Sequence, residues 1–278
     1  MRNIRTSEIT EKVKELCMDA ACLLPSDVEA ALRKAADGEA SPLGRDVLEQ
    51  IVKNFEVAAS EGVPMCQDTG VAVFFVSLGR GVCLDGPLED AINQGVRQGY
   101  RDGYLRKSVC HPITRKNTGD NTPSVIHTRV VEGDRIRITF APKGAGSDNM
   151  SRLKMLKPAE GIMGVKDFVI ETVRAAGGNP CPPIIAGVGI GGNFEKAAIL
   201  AKEALLRPVG SRNPDKELDS IERELLEGIN SLGIGPMGFG GRVTALSVHI
   251  EAFPCHIASL PVAVNIQCHA DRHKEIEI

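Results

Sequence analysis

CPPIIAGVGIGGNFEKAAILAKEALL, residues 181–206, decides the fold. Pro182 and Pro183 remove backbone donors and stiffen the turn after Cys181. The apolar run Ile184–Ile190 then predicts a buried strand, and about Phe194 to Leu206 predicts a helix. Strand, glycines and helix in succession point to a sheet covered by helices.

The same alternation extends in both directions. Upstream, Val165, Phe168, Val169 and Val173 recur at helical spacing, and a glycine loop, Lys143–Ser147, is expected to precede a helix. SVIHTRVVEGDRIRITFAP (124–142) predicts two strands joined by a tight turn at Gly133-Asp134. Ile136, Ile138 and Phe140 alternate there with Arg135, Arg137 and Thr139, one buried and one wet face. A helix is expected from about Leu88 to Arg106, with Ile92, Val96 and Tyr100 on one face, after the buried-strand pattern VAVFFVSLG (71–79). The first third reads helical: Ser26 with Glu29 forms a capping box, Ser41-Pro42 starts a helix carrying Val47, Ile51, Phe55 and Ala58, and Gly62 stops it. Downstream come a charged helix, the glycine-rich LGIGPMGFGG (232–241), and two strands running from Arg242 towards Cys268. The class is α/β, in the mixed α+β sense, with a helical N-terminal third followed by sheet and helices. Arg207–Asp215 reads as a surface loop rather than a linker, so residues 1–278 are expected to form a single domain.

Composition narrows the function. The chain has 278 residues, 42% of them apolar, and a net charge of −3. A sizeable core can be buried, and nothing electrostatic favours nucleic acid or an anionic membrane as partner. No apolar run reaches the length of a membrane span, and the charged start MRNIRTSEITEKVKEL lacks a secretion signal. A cytoplasmic location is expected, and with it reduced thiols for the eight cysteines.

Three of those cysteines sit in loops of unusual chemistry. Cys66 opens Cys-Gln-Asp-Thr-Gly, Cys181 lies in Asn-Pro-Cys-Pro-Pro, and Cys268 lies in Gln-Cys-His-Ala-Asp-Arg-His. Structural zinc sites show close Cys-x-x-Cys pairs, and none exists here. Widely spaced single cysteines suit a cluster assembled from separate loops, and buried or incidental thiols are the other reading. Three thiolates on a 4Fe–4S cluster would leave one iron open as a Lewis acid. Asp68 and His256 can carry protons, and Arg106 and Arg272 can clamp carboxylates with their planar two-pronged donors. Each alone reads equally as a surface charge or a core hydrogen bond. Gly187-Val188-Gly189-Ile190-Gly191-Gly192 fits the dinucleotide fingerprint G-x-G-x-x-G, which keeps an NAD-binding oxidoreductase open as a reading of a different class. The RPVGSRNPDKELD that follows the helix offers no second strand ending in an acidic residue to hold a ribose. The glycines could instead bring backbone amides close to an anion or a cluster.

Taken together the motifs resemble the class I, iron–sulfur fumarases and the related L-tartrate dehydratases. The resemblance lies in Cys-Gln-Asp-Thr-Gly (66–70), Leu-Arg-Lys-Ser (105–108), Asn-Thr-Gly-Asp-Asn-Thr-Pro (117–123) and Lys-Gly-Ala-Gly-Ser (143–147). It continues through Cys-Pro-Pro (181–183), Gly-Ile-Gly-Gly (189–192) and Gln-Cys-His-Ala-Asp-Arg (267–272), in order along nearly the whole chain. It implies that Cys66, Cys181 and Cys268 hold a 4Fe–4S cluster, and that Asp68 and His256 handle the proton of the hydroxyl that leaves or arrives. Gln67, Arg106 and the backbone at Gly146 are implied as contacts to the carboxylates of a small dicarboxylate. Val125 departs from the pattern, because single-chain relatives tend to carry a polar residue there. The implied activity is reversible hydration of fumarate to (S)-malate, with L(+)-tartrate or another dicarboxylate as the alternative. The chain stops near its third cysteine motif, whereas single-chain members continue into a second domain. It therefore resembles an α subunit whose separate β subunit completes the active site, in an αβ pair that dimerises again.

Overall fold

The computed structural model describes residues 1–278 and is the mixed α/β fold that the sequence predicts. Its elements begin with β1 (Arg2–Ile4), α1 (Thr6–Cys22), α2 (Ser26–Gly38), α3 (Pro42–Glu61), β2 (Val71–Gly79) and β3 (Val82–Leu84). Next come α4 (Leu88–Asp102), β4 (Val125–Val131), β5 (Ile136–Lys143), the single turn α5 (Ala145–Asp148), β6 (Arg152–Leu156) and α6 (Gly161–Ala176). The chain ends with β7 (Ile184–Gly191), α7 (Phe194–Ala204), α8 (Lys216–Asn230), β8 (Ala245–Phe253), β9 (Leu260–Gln267) and β10 (Lys274–Glu277). No helix is long and apolar enough to cross a membrane.

The residues group into two compact units, each with its own sheet and core. The first comprises Met1–Pro25, Asn54–Ala145 and Arg272–Ile278, and the second Ser26–Lys53 and Gly146–Asp271. The first unit's four-stranded sheet has the order β10-β5-β2-β4, and the second's has the order β6-β9-β7-β8. In each, a central strand (β2 or β7) has a parallel neighbour on one side (β4 or β8) and an antiparallel neighbour on the other (β5 or β9). The two neighbours follow one another in sequence, so a short loop crosses the end of the central strand. This corrects the reading of residues 124–142: the strands are present, but β2 lies between them. Alternation assigns faces to a strand and not neighbours. The predicted inward face is correct: Ile136, Ile138 and Phe140 are fully buried, and Phe140 stacks on Phe74 with ring centroids 5.0 Å apart.

In the first unit Ile9 and Val13 of α1 meet Ile92 and Val96 of α4 over Phe74 and Val76. In the second, Val165, Val169 and Val173 of α6 and Ile221, Leu225 and Ile229 of α8 cover one face of β7, β8 and β9. Ala197 and Ala201 of α7 cover the other face with Ala263. Each such aliphatic side chain contributes about 1.5–3 kcal/mol by leaving water. Three local readings need adjustment. Ser26 is the first residue of α2 rather than the residue before it. The glycine loop at 143–147 leads into a single helical turn and then a strand, not a helix. Ser41 does cap α3, its Oγ accepting from the Gly44 N–H at 3.2 Å.

Candidate functional site

In the first unit the Cys66–Gly70 loop is set by groups beneath it. Tyr100, 1% exposed at the end of α4, donates its hydroxyl to the carbonyls of Thr69 (2.8 Å) and Gly70 (3.1 Å). Burial pushes the Tyr100 phenol well above its ordinary value, so it acts as a fixed donor. Asn121, fully buried, donates from Nδ2 to Gly70 O at 3.1 Å. Its Oδ1 accepts from the N–H groups of Ser108 (2.7 Å) and Val109 (3.3 Å), so one side chain joins the Asp-Thr-Gly turn to the segment after Arg106. Thr69 Oγ1 donates to the Arg106 carbonyl at 2.7 Å. Arg272, 2% exposed, donates from Nη2 to the Asp68 carbonyl at 2.8 Å. Its reading as a carboxylate clamp is therefore corrected: this guanidinium is buried and holds backbone.

What this platform carries is more open. The Asp68 carboxylate accepts from the N–H groups of Gly70 (3.0 Å) and Ala145 (2.8 Å). The Asp68 N–H lies 3.4 Å from Cys66 Sγ and Gln67 Oε1 lies 3.6 Å from it, so polar groups already face the sulfur. Gln67 and Arg106 are exposed, and Cys66 and Asp68 are half-buried. Four of the expected residues thus lie along one surface of the first unit.

In the second unit Cys181 occupies the turn before β7 with φ +56, a conformation uncommon for any residue but glycine. Hydrogen bonds on both sides hold it there. The Cys181 N–H donates to Gly178 O at 3.1 Å, and Met237, from the glycine-rich 232–241 loop, donates to Pro182 O at 2.8 Å. The Cys181 carbonyl lies 3.0 Å from His269 Nδ1, which must carry the hydrogen because a carbonyl only accepts. Gln267 pairs with Ile185, so Cys268 follows β9 at the same end of the sheet. Gly146 belongs here too, since a Cβ on it would lie 3.8 Å from Asn179 O. Behind this end, buried Glu39 accepts from the N–H groups of Ser41 (2.9 Å), Arg242 (2.8 Å) and Val243 (2.9 Å). Burial opposes ionisation of Glu39, but these bonds outweigh it and hold its carboxyl below the ordinary range.

His256 is elsewhere. It follows the last residue of β8, Phe253, which pairs with the last residue of β7, Gly191. It is exposed and lines a hollow with Gly161, Ile162, Ile190 and Leu260, at the opposite end of the sheet from Cys181 and Cys268.

The glycine fingerprint has a packing explanation. Gly187 and Gly189 lie within β7, where a Cβ would fall 2.1 Å from the carbonyl oxygens of Ala201 and Ala197. They let α7 lie against the strand, and only Gly191 and Gly192 form the turn. That turn is at the end of β7 away from Cys181, so the reading of these glycines as a cradle for a cluster does not hold.

Sequence reasoning missed Tyr100 and Asn121 as supports. Tyr100 read as a helix-face apolar residue, while Asn121 lay unremarked inside a recognised motif.

Cys66, Cys181 and Cys268 carry reduced thiols and are half-buried, whereas Cys17 is buried in the core at 1% exposure. A cysteine sulfur is a soft donor and suits iron–sulfur ligation better than it suits an ion bound by oxygens, and the sulfur of Cys66 already faces a backbone N–H.

A family model described as fumarate hydratase (Fumerase) matches residues 10–277. The putative L(+)-tartrate dehydratase subunit alpha of Methanocaldococcus jannaschii is 48% identical over 272 residues, covering 95% of each chain. The L(+)-tartrate dehydratase subunit alpha of Escherichia coli K12 is 35% identical over 270 residues, 96% of this chain and 89% of that one.

Proposed function

The chain belongs to the fumarate hydratase (Fumerase) family, and from that membership we propose that it is the α-type subunit of an iron–sulfur hydro-lyase that reversibly hydrates fumarate to (S)-malate. The observation that carries the reading is the Cys66–Gly70 loop: a thiol, an amide and a carboxylate on consecutive residues, supported from beneath by Tyr100, Asn121 and Arg272.

Cys66, Cys181 and Cys268 would hold a 4Fe–4S cluster, which when bound supplies a Lewis-acidic iron without a protein ligand. The remaining work belongs to the chain's own groups. Arg106, exposed beside the loop, meets one substrate carboxylate with its two-pronged guanidinium. Gln67 and the backbone at Gly146 supply further hydrogen bonds and fix the substrate's orientation. Asp68 is oriented by its two backbone donors and, with His256, handles the proton of the hydroxyl oxygen. In dehydration that oxygen leaves as water, and the carbon-bound proton goes to a group on a separate β-type chain. The names of the relatives as alpha subunits support such a partner.

A second reading is dehydration of L(+)-tartrate, favoured by the names of those same relatives. One extra hydroxyl on the substrate separates the two. Steady-state rates on fumarate, (S)-malate and L(+)-tartrate, with the complex of both chains purified without oxygen, decide between them. A kcat/KM for fumarate or malate at least tenfold above that for tartrate is expected. The reverse order would select the second reading, and no turnover of any of the three would remove both.

A further inference from the structure

The Arg272 guanidinium is 2% exposed and makes one hydrogen bond, from Nη2 to the Asp68 carbonyl at 2.8 Å. Its Nε and Nη1 are buried with no partner, so no carboxylate is paired with it. The carboxylate on the same loop is committed elsewhere: Asp68 gives Oδ1 to the Gly70 N–H (3.0 Å) and Oδ2 to the Ala145 N–H (2.8 Å). Burial raises the Tyr100 phenol and the Cys22 thiol above their ordinary values, and the Arg272 charge pulls both the other way, so these two groups lie around it. A buried cation without a counter-charge is costly, and a carbonyl needs only a neutral donor. Holding the Asp68 backbone therefore does not explain why this group is charged.

Two distances bring the charge close to Cys66. The Asp68 N–H lies 3.4 Å from Cys66 Sγ, and Arg272 bonds the carbonyl of that same residue. With one residue's backbone between the two contacts, the guanidinium is within about 10 Å of the sulfur. We infer that Arg272 is the counter-charge of the cluster: its buried guanidinium offsets the negative charge that three thiolates bring to a 4Fe–4S core, and so raises the cluster's reduction potential and strengthens its retention. The inference rests on the proposed reading of Cys66, Cys181 and Cys268 as ligands. Cluster potentials follow net charge and surroundings. A reduced cluster is more negative than an oxidised one, so a fixed cation favours reduction. Inside a protein, a unit charge about 10 Å away changes such an equilibrium by about tenfold.

The test compares three variants of the complex with the β-type chain, purified without oxygen. Arg272→Gln keeps a donor for the Asp68 carbonyl and removes the charge. Arg272→Met removes both, and Arg272→Lys keeps both. The midpoint potential is read from the electron paramagnetic resonance of the reduced cluster during stepwise addition of dithionite. Gln and Met should each lower it by about 59 mV, the value of a tenfold change for one electron. Both should also lose iron to a chelator faster than the wild type, and Lys should stay near the wild type in both measurements. A wild-type midpoint in either folded neutral variant would overturn the inference. So would a Lys shift as large as the neutral ones, because shape and not charge would then be the cause. Failure of the underlying reading looks different: a wild-type complex that binds no cluster removes the three cysteines as ligands, and the counter-charge with them.

Discussion

Arg272 donates from Nη2 to the carbonyl oxygen of Asp68 at 2.8 Å from a side chain that is 2% exposed. Its Nε and Nη1 are buried without a hydrogen-bond partner. Two effects oppose each other in Arg272→Met. Losing a hydrogen bond from a charged donor costs about 1.5–3 kcal/mol. Removing a buried cation that has no paired carboxylate returns an amount of similar size. The melting temperature should therefore change little. The Asp68 backbone, no longer held, should shift, and turnover should fall at least tenfold. A large loss of stability with turnover per folded molecule intact would show that Arg272 serves only the core.

Asn121 and Tyr100 differ in the number of bonds they make. Tyr100→Phe removes one donor shared by two carbonyls, one of which keeps Asn121, and should cost about 1–2 kcal/mol in urea denaturation. Asn121→Ala removes one donor and one acceptor that serves two N–H groups, at a residue with φ +62 that asparagine tolerates better than alanine. About 3 kcal/mol or more is expected there. Equal costs for the two variants would contradict the loop support described here.

Gly189→Ala places a Cβ 2.1 Å from Ala197 O, against helix backbone that cannot move alone. Soluble yield should collapse or stability fall by more than about 3 kcal/mol. Gly38→Ala, with open space around it, is the control and should be neutral. A well-folded Gly189→Ala would mean that α7 is not packed as described.

His249 is fully buried on β8, with Nε2 3.0 Å from Ser247 Oγ, and its pKa is lowered to about 4. Burial is the main cause and the Arg207 charge adds to it, against the weaker pull of Glu222, Asp271 and Asp27. The unfolded chain takes up this proton near the ordinary value of 6.5 and the folded chain only near 4. Stability is therefore full above 6.5 and is lost as the pH falls from there towards 4. Urea midpoints at pH 7.5 and 5 (conditions about one to two units either side of the histidine's ordinary value) should differ less in His249→Gln than in the wild type. An unchanged difference would assign the acid sensitivity to other groups.

Much of this was legible in the sequence. The polar Cys-Gln-Asp-Thr-Gly loop ahead of an apolar run does precede a buried strand, and residues 184–190 do form one feeding a helix. What stayed hidden depends on order in space. Nothing local to residues 124–142 shows that β2 enters between β4 and β5, because that pairing is made with residues about 50 to 70 positions away. The same arrangement around β7 sends His256 to the far end of the sheet from cysteines that precede β7 and follow β9. The fingerprint glycines misled for a related reason. A motif reports that backbone comes close to something, and here that something is α7. Both units also place a cysteine shortly before their central strand, Cys66 before β2 and Cys181 before β7, a correspondence of topology with no matching repeat in sequence.

The proposed cluster is tested most directly by iron and acid-labile sulfide content, with a visible spectrum, on protein purified without oxygen. About four irons and four sulfides per chain are expected, as one cubane requires. They should be lost in Cys66→Ser, Cys181→Ser or Cys268→Ser and kept in Cys17→Ser, whose thiol is buried in the α1 core. Zinc alone, or no metal after reconstitution with iron and sulfide under reductant, would contradict the cluster and make the three cysteines structural.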